Sequence, residues 1–448
     1  MTASRGEFSS RIGFILAAAG SAVGLGNIWG FPTQTANNGG AAFVLVYFLL
    51  AFFLAYPAFM AELLIGRYGQ ANAVTSLQKM SRTLWQKKFA FVVGFGGVLC
   101  AALILSFYGI IAGWMMSNAL EPIARMLGSN SAADWMVSQS FNRNILFTAL
   151  FMFLTIFIIK KGVQQGIELW SKRLMPLLIL LLIALIIYVF TLEGASEGIN
   201  AYLNPDLSRV LEPNLLISAL GQAFFSLSLG TSVMVIYGSY ISKKENLVTL
   251  GAQVTLIDVS IAFLAGLLII PAMYVAQAQG VVIFAQDGSL ISGPGLVFTV
   301  LPSLFDSMGT IGLLVSLIFF ILMSVAALTS SISMLEGPVS FVVERYQVAR
   351  TKATVYIGLV IFLISLGIIS NLGVLLDIVA TLATEYGQPI IAMLCCVFVG
   401  WIWHRSELLK EIKQGNATVE HSLFWKIWPW YTKFVCPTAI AVVFIHSL

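Results

Sequence analysis

The chain has 448 residues, of which 59% are hydrophobic and only 10% charged. A soluble domain carries about 25% charged residues, so this balance excludes an ordinary soluble enzyme or nucleic-acid-binding module and indicates an integral membrane protein. The net charge of +4 is small, and its placement along the chain says more than its size.

The first ten residues are polar, and no charged residue occurs between Arg11 and Glu62, which leaves room for two spans of about 20 residues each. The apolar run after Arg11 is too long for a cleavable signal and lacks a small-residue cleavage pattern. Its middle contains Gly20, Gly24 and Gly26 with Asn27 beside them. Each glycine costs about 1 kcal/mol relative to alanine inside a helix. One reading is a broken span, whose freed carbonyls and amides receive a cation and an anion at membrane depth. The other is close helix packing through small residues. Asn27 favours the first, because its carboxamide adds an oxygen ligand at the same place.

Apolar runs between charged loops predict eleven spans, at roughly 12–36, 41–66, 90–120, 144–160, 168–192, 215–240, 247–276, 309–343, 353–370, 374–403 and 424–446. Of the 24 Lys and Arg residues, only Arg125, Arg143 and Arg209 fall in the connections on the side opposite the N-terminus. The positive-inside rule then places the N-terminus in the cytoplasm, in the plasma membrane of the cell, and the C-terminus outside. Trp428, Pro429 and Trp430 read as interfacial residues and make the last span the weakest.

Asp258 is the only charged residue between Glu245 and Asp287, near the middle of the seventh span. A lone carboxylate at that depth is costly and is by default functional, the alternative being a hydrogen bond that serves helix packing. Thr329, Ser330 and Ser331 are candidate oxygen ligands in the eighth span, or hydroxyls bonded to their own preceding turn. Cys100, Cys395, Cys396 and Cys436 lie in apolar stretches, and the three histidines have no ligand spacing, so neither disulfides nor a transition-metal site are expected.

Five motifs carry a specific resemblance: GSAVGLGNIWGFP at 20–32, NNGGAAF at 37–43, ELLIGRYGQ at 62–70, GQAFFSLSLG at 221–230 and ALTSSIS at 327–333. With them the chain resembles bacterial members of the neurotransmitter:sodium symporter family, whose fold is that of the bacterial leucine transporter. The resemblance covers the first ten spans. It implies an all-α membrane protein with two inverted five-helix repeats and broken helices 1 and 6, the second break falling at Ser226–Thr231. The repeats would occupy residues 1–192 and 193–403, followed by a linker and span 11 at 404–448.

The resemblance also implies a sodium-coupled symporter that imports a neutral amino acid by alternating access, with no enzymatic activity. Rivals are a proton-linked exchanger in which Asp258 carries the proton, an ion channel, and a transport-inactive amino acid sensor. Two sodium ions are implied. The first would take the Ala22 carbonyl, Asn27, Ser226 and Asp258; the second the carbonyls of Gly20, Val23 and Ala326 with the hydroxyls of Thr329 and Ser330. Substrate carboxylate would meet the amides near Leu25 and Gly26 and the hydroxyl of Tyr108, and carbonyls near Phe225 and Ser228 would receive the ammonium. The side-chain pocket would comprise Ser21, Ile104, Phe225, Thr231 and Met334, with Ala22, Ser226 and Ser330 adjoining. Gly24 stands where amine-transporting relatives place an aspartate, which implies a substrate with its own carboxylate.

For the gates, Arg5 and Glu344 match an ion pair on the cytoplasmic side, with Phe8 and Tyr240 as partners. Outside, Asp377 matches an acidic gate residue, but Gly30 replaces its usual arginine, and Gln34 is the candidate neutral substitute. Chloride is not expected: Ala262 stands where chloride-binding relatives have a serine, and Asp258 supplies a fixed negative charge. The lipid bilayer is the one further partner; no nucleic acid is expected, and the sequence leaves oligomeric state open.

Overall fold

The computed structural model describes residues 6–283 and 295–446, and every regular element among them is helical. Among the described residues, nine continuous helices are long and apolar enough to cross a membrane. In chain order these are span 2 (Ala41–Gly69), span 3 (Leu84–Met126), span 4 (Phe141–Ile159), span 5 (Val163–Val189), span 7 (Leu247–Ala278), span 8 (Thr310–Tyr346), span 9 (Arg350–Ser370), span 10 (Leu372–Ile402) and span 11 (Leu423–His446). Span 1 is a bent pair, Arg11–Ala22 and Gly26–Asn37, meeting at 56°. Span 6 is also in two pieces, Pro213–Ser226 and Val233–Gly238, each too short to cross alone.

Helix ends depart from the hydropathy reading where a helix outlasts its apolar stretch. Span 3 runs 43 residues, well past 90–120 at both ends, because Thr83 and Gln86 form a capping box at its start and helical propensity continues through Glu121 and Arg125. The connections beyond spans 3, 5 and 7 are not bare loops. They carry the helices Asn130–Val137, Ala195–Leu203 and Leu296–Ser307. Trp428 is buried within the protein, and its indole N–H donates to the Pro57 carbonyl at 3.0 Å, pinning span 11 to span 2. Trp430, two residues on, is exposed.

Spans 1 and 6 are buried along much of their length. Spans 2 and 6 are in near-backbone contact: a Cβ on Gly66 would sit 1.9 Å from the Val235 carbonyl oxygen, and one on Gly238 would sit 2.4 Å from that of Leu63. On the face where the chain enters span 1 (the N-terminal face), the fully buried Arg67 gathers three loops. It donates to Glu411 Oε1 at 2.8 Å, to the Glu411 carbonyl at 2.6 Å and to the Glu245 carbonyl at 2.9 Å. Removing one partner of such a buried pair costs about 3–5 kcal/mol, so this clamp fixes the loops between spans 2–3, 6–7 and 10–11.

Candidate substrate and ion site

The break in span 1 begins at Val23, which is extended (φ −72°, ψ 101°), and the chain resumes with a wide turn over Gly26–Gly30. A Cβ on Gly24 would lie 2.6 Å from Ser330 Oγ and 3.0 Å from Tyr108 Oη, and one on Gly26 would lie 2.6 Å from the Phe225 ring. The two readings of these glycines therefore merge: the same residues break the helix and admit close neighbours. The break in span 6 is built from left-handed backbone at Ser228 (φ 54°), Gly230 (φ 79°) and Ser232 (φ 58°). Gln222 Nε2 donates to the Gly26 carbonyl at 2.9 Å and ties one break to the other.

Between the breaks lies a cavity of about 200 Å³. Its lining brings together Ser21, Ala22, Gly24, Leu25, Gly26, Ile104, Tyr108, Phe225, Ser226, Ser228, Thr231, Ser330 and Met334. It also includes Phe107, Ala380, Thr384 and Gln388, which sequence reasoning missed. Tyr108 Oη is buried in the wall and has no aligned hydrogen-bond partner. Ser21 Oγ donates to Ser333 Oγ at 2.7 Å, Ser228 Oγ to the Ser21 carbonyl at 3.2 Å, and Thr231 Oγ1 to the Ser228 carbonyl at 2.7 Å. The wall is thus apolar, with its few hydroxyls turned mostly to backbone.

Asp258 is fully buried behind this cavity. Asn27 Nδ2 donates to its Oδ1 at 2.7 Å, Ser226 Oγ to its Oδ2 at 2.7 Å, and Nδ2 also meets Ser226 Oγ at 3.0 Å. Tyr47 Oη donates to Ser226 Oγ at 3.3 Å. The Asn27 amide nitrogen, rather than its oxygen, faces the carboxylate, because an anionic acceptor draws a donor. The oxygen instead accepts from the Gly24 amide at 3.3 Å. Three spans converge here on one buried charge.

A second oxygen cluster lies where span 8 meets the span 1 break. Ser330 Oγ is 3.4 Å from the Gly20 carbonyl oxygen and 3.2 Å from those of Ser21 and Val23, and Thr329 Oγ1 donates to the Ala326 carbonyl at 2.9 Å. Oxygen is the only donor atom type in this cluster, which suits a hard cation and not a soft one.

The gate candidates fall on two faces of the bundle. Phe8 packs edge-on against Tyr240, with ring centroids 6.2 Å apart, and its amide donates to the Tyr240 carbonyl at 3.1 Å. Tyr240 Oη donates to Glu336 Oε1 at 2.5 Å, and Arg350 grips the same carboxylate with both terminal nitrogens, one of them at 3.0 Å. Glu344 accepts from the Asn72 amide at 2.7 Å and from its side chain at 2.8 Å. Arg5 lies outside the described residues. On the opposite face, Asp377 is exposed and forms no ion pair among the described residues. Gln34 Oε1 accepts from Asn38 Nδ2 at 2.9 Å.

Sequence reasoning also missed Glu62, Tyr47, Glu336 and Arg350. Glu62 is buried in span 2 and accepts from the Gly230 amide at 2.7 Å, holding the span 6 break from behind. Its signal was available, since a carboxylate beside an uncharged stretch of fifty residues is as unusual as Asp258.

The sequence matches the model of the sodium:neurotransmitter symporter family over residues 5–144 and 136–448. It is 35% identical to an uncharacterized sodium-dependent transporter, YhdH, of Bacillus subtilis (strain 168), over 99% of this chain and 97% of that protein. It is 32% identical to a sodium-dependent transporter of Haemophilus influenzae, over 99% and 98% of the two chains. Among solved structures, MhsT in complex with L-phenylalanine superposes with a TM-score of 0.82 at 37% identity, covering 99% of this chain and all of that one. A sodium- and chloride-dependent taurine transporter of Bos taurus is 28% identical over 76% of this chain and 61% of its own length. The chain belongs to the sodium:neurotransmitter symporter family and is a sodium-dependent, multi-pass membrane transporter.

Proposed function

We propose that this transporter imports a neutral, apolar amino acid with sodium by alternating access around the cavity between the two breaks. The observation that carries this reading is the buried Asp258 carboxylate, bonded by Asn27 and Ser226 directly behind an apolar cavity of about 200 Å³. Ile104, Phe107, Phe225 and Met334 supply apolar walls for a sizeable side chain. Tyr108 Oη, with no aligned partner, would donate to the substrate carboxylate beside the amides of Leu25 and Gly26. The MhsT complex with phenylalanine supports the substrate class.

Sodium would bind in two places. At the first, Asp258, Ser226, the Ala22 carbonyl and Asn27 are the ligands, and the Asn27 amide turns over to offer its oxygen. At the second, the ligands are Thr329, Ser330 and the carbonyls of Gly20, Val23 and Ala326. Asp258 offsets the charge of the first ion, and a second anion a few ångströms away would be repelled by about 1 kcal/mol at 4 Å even in water-like surroundings. Transport would accordingly need no chloride, and Ala262 offers no hydroxyl to hold it. The test is uptake of each radiolabelled amino acid into proteoliposomes under a sodium gradient, with chloride or gluconate outside. Sodium-driven accumulation of an apolar amino acid in gluconate is expected. Accumulation that ignores sodium, or that fails without chloride, would falsify this reading.

A further inference from the structure

A second built cavity, of about 130 Å³, lies on the N-terminal face between the end of span 10 and the start of span 11. Trp403 and Thr432 line it, both almost fully buried, and Trp403 Nε1 and Thr432 Oγ1 have no hydrogen-bond partner. An indole N–H can only donate, and a buried donor left without an acceptor is costly. Two cations line the same cavity, Arg405 and Lys433. Neither forms an ion pair among the described residues: the Arg405 guanidinium lies 5.8 Å from the Trp425 ring centroid and the Lys433 ammonium 4.4 Å from that of Trp401. No carboxylate is part of the lining.

The packing that makes this cavity is specific. A Cβ on Gly400 would lie 2.6 Å from Lys433 Cα, so glycine lets span 11 approach span 10 closely. Trp401 Nε1 then donates to the Lys433 carbonyl at 3.0 Å and fixes the register between the two spans. Trp401 and Trp430, exposed on the outside of the same two spans, mark this level as a membrane–water interface, where amphipathic rings settle.

From this convergence we infer that the cavity binds a phosphate group: two cationic residues and two buried residues with unfilled donors line one small space. A phosphate presents several acceptor oxygens and at least one negative charge, which satisfies all four groups together. A basic pocket between spans at the headgroup level is also where an anionic phospholipid places its phosphate. A soluble phosphate offers the same oxygens. The binding is reversible and involves no covalent step, and it is independent of the substrate cavity.

The test uses the full-length protein in mild detergent. Native mass spectrometry counts bound dioleoyl phosphatidylglycerol, and equilibrium dialysis measures radiolabelled inorganic phosphate. The variants are Arg405→Gln with Lys433→Gln, Trp403→Phe, which removes the N–H and keeps a ring, and Thr432→Val. The charge variants lie at the rim and keep the fold, so the experiment survives a misfolded Trp403→Phe. Saturable binding at one site is expected, weakened at least tenfold by the double charge change and several-fold by Trp403→Phe or Thr432→Val. If the lipid shows this pattern and inorganic phosphate does not, the source is the bilayer; the reverse assigns the site to soluble phosphate. Binding of neither probe, or binding that all variants keep unchanged, overturns the inference.

Discussion

The two faces of the substrate cavity are held in unequal ways. On the N-terminal face, Phe8 is bonded to Tyr240, Tyr240 to Glu336, and Glu336 to Arg350, so three spans and the N-terminal segment share one buried carboxylate. On the opposite face Asp377 is exposed, and Gln34 Oε1 accepts from Asn38. Phe225, which walls the cavity on that side, is 43% exposed. The difference teaches that, among the described gate residues, one face carries a buried ion pair while the acidic residue of the other has no ionic partner, so the two should respond differently to losing a charge.

The largest expected effect comes from opening the latched face. Glu336→Gln leaves the Arg350 guanidinium without its countercharge in a site where Arg350 is only 25% exposed. A loss of about 3 kcal/mol is expected, at the low end for a broken buried pair. It should appear as a lower melting temperature in detergent and as uptake reduced at least about tenfold, since 1.4 kcal/mol is a factor of ten. Uptake and melting both unchanged would mean that the network does not hold this face closed.

Next is a change at the level between the faces. Thr329→Val nearly keeps volume and removes a hydroxyl that donates to the Ala326 carbonyl in its own turn. A hydrogen bond or ligand of this kind is worth about 1 kcal/mol, so half-maximal sodium should rise about fivefold with the fold intact. A sodium curve that does not move removes Thr329 from the ion site.

The exposed face should respond weakly. Asp377→Asn is expected to lower uptake by less than about threefold, because a solvated charge of this kind contributes about 0–1 kcal/mol. Gly30→Arg sharpens the test, since the nearest atom to a Cβ there is Gln222 Oε1 at 3.7 Å and leaves room for a side chain. If an arginine restores a gate pair, substrate release should slow in Gly30→Arg and return to normal when Asp377→Asn is added. Identical release in all three proteins would show that these positions do not meet.

Surface pairs on the two faces set the floor. Hydrogen bonds from Arg209 hold the Glu212 carboxyl below the usual range, and a hydrogen bond from Lys413 does the same for Glu420. A carboxyl lowered on folding adds stability above its unfolded value, and that stability is lost as pH falls through the lowered one. Both groups stay ionised between pH 6 and 8, so Glu212→Gln and Glu420→Gln should alter uptake less than about twofold there, as for other exposed pairs. A larger change in either would mark that loop as part of a gate.

Some of this was legible in the sequence because membranes penalise certain residues whatever the fold. Asp258 and the glycines at 24 and 26 are expensive in any apolar helix, so they announce a site before any partner is known. Glu336 was not legible in the same way. It becomes a latch only because Tyr240 and Arg350, 96 positions before it and 14 after, arrive at one point through tertiary packing. Gln388 was equally silent, since it joins the cavity wall only once the backbone of span 10 packs against the span 6 break at Gly230. The helix ends were misread for a third reason: hydropathy reports the solvent, while capping and propensity decide where a helix stops.

Gly230 carries a consequence for how this chain can vary. Its backbone is left-handed, its amide is spoken for by Glu62, and a Cβ there would lie 1.9 Å from the Gln388 carbonyl oxygen. A change to any other residue meets the last of these obstacles directly, because a carbonyl in a packed helix cannot step aside. Ser228 and Ser232 share the left-handed backbone, which glycine adopts at no steric cost and asparagine tolerates. In a saturation library selected for uptake, codon 230 should therefore come back as glycine alone, while 228 and 232 return a short alphabet that includes glycine and asparagine.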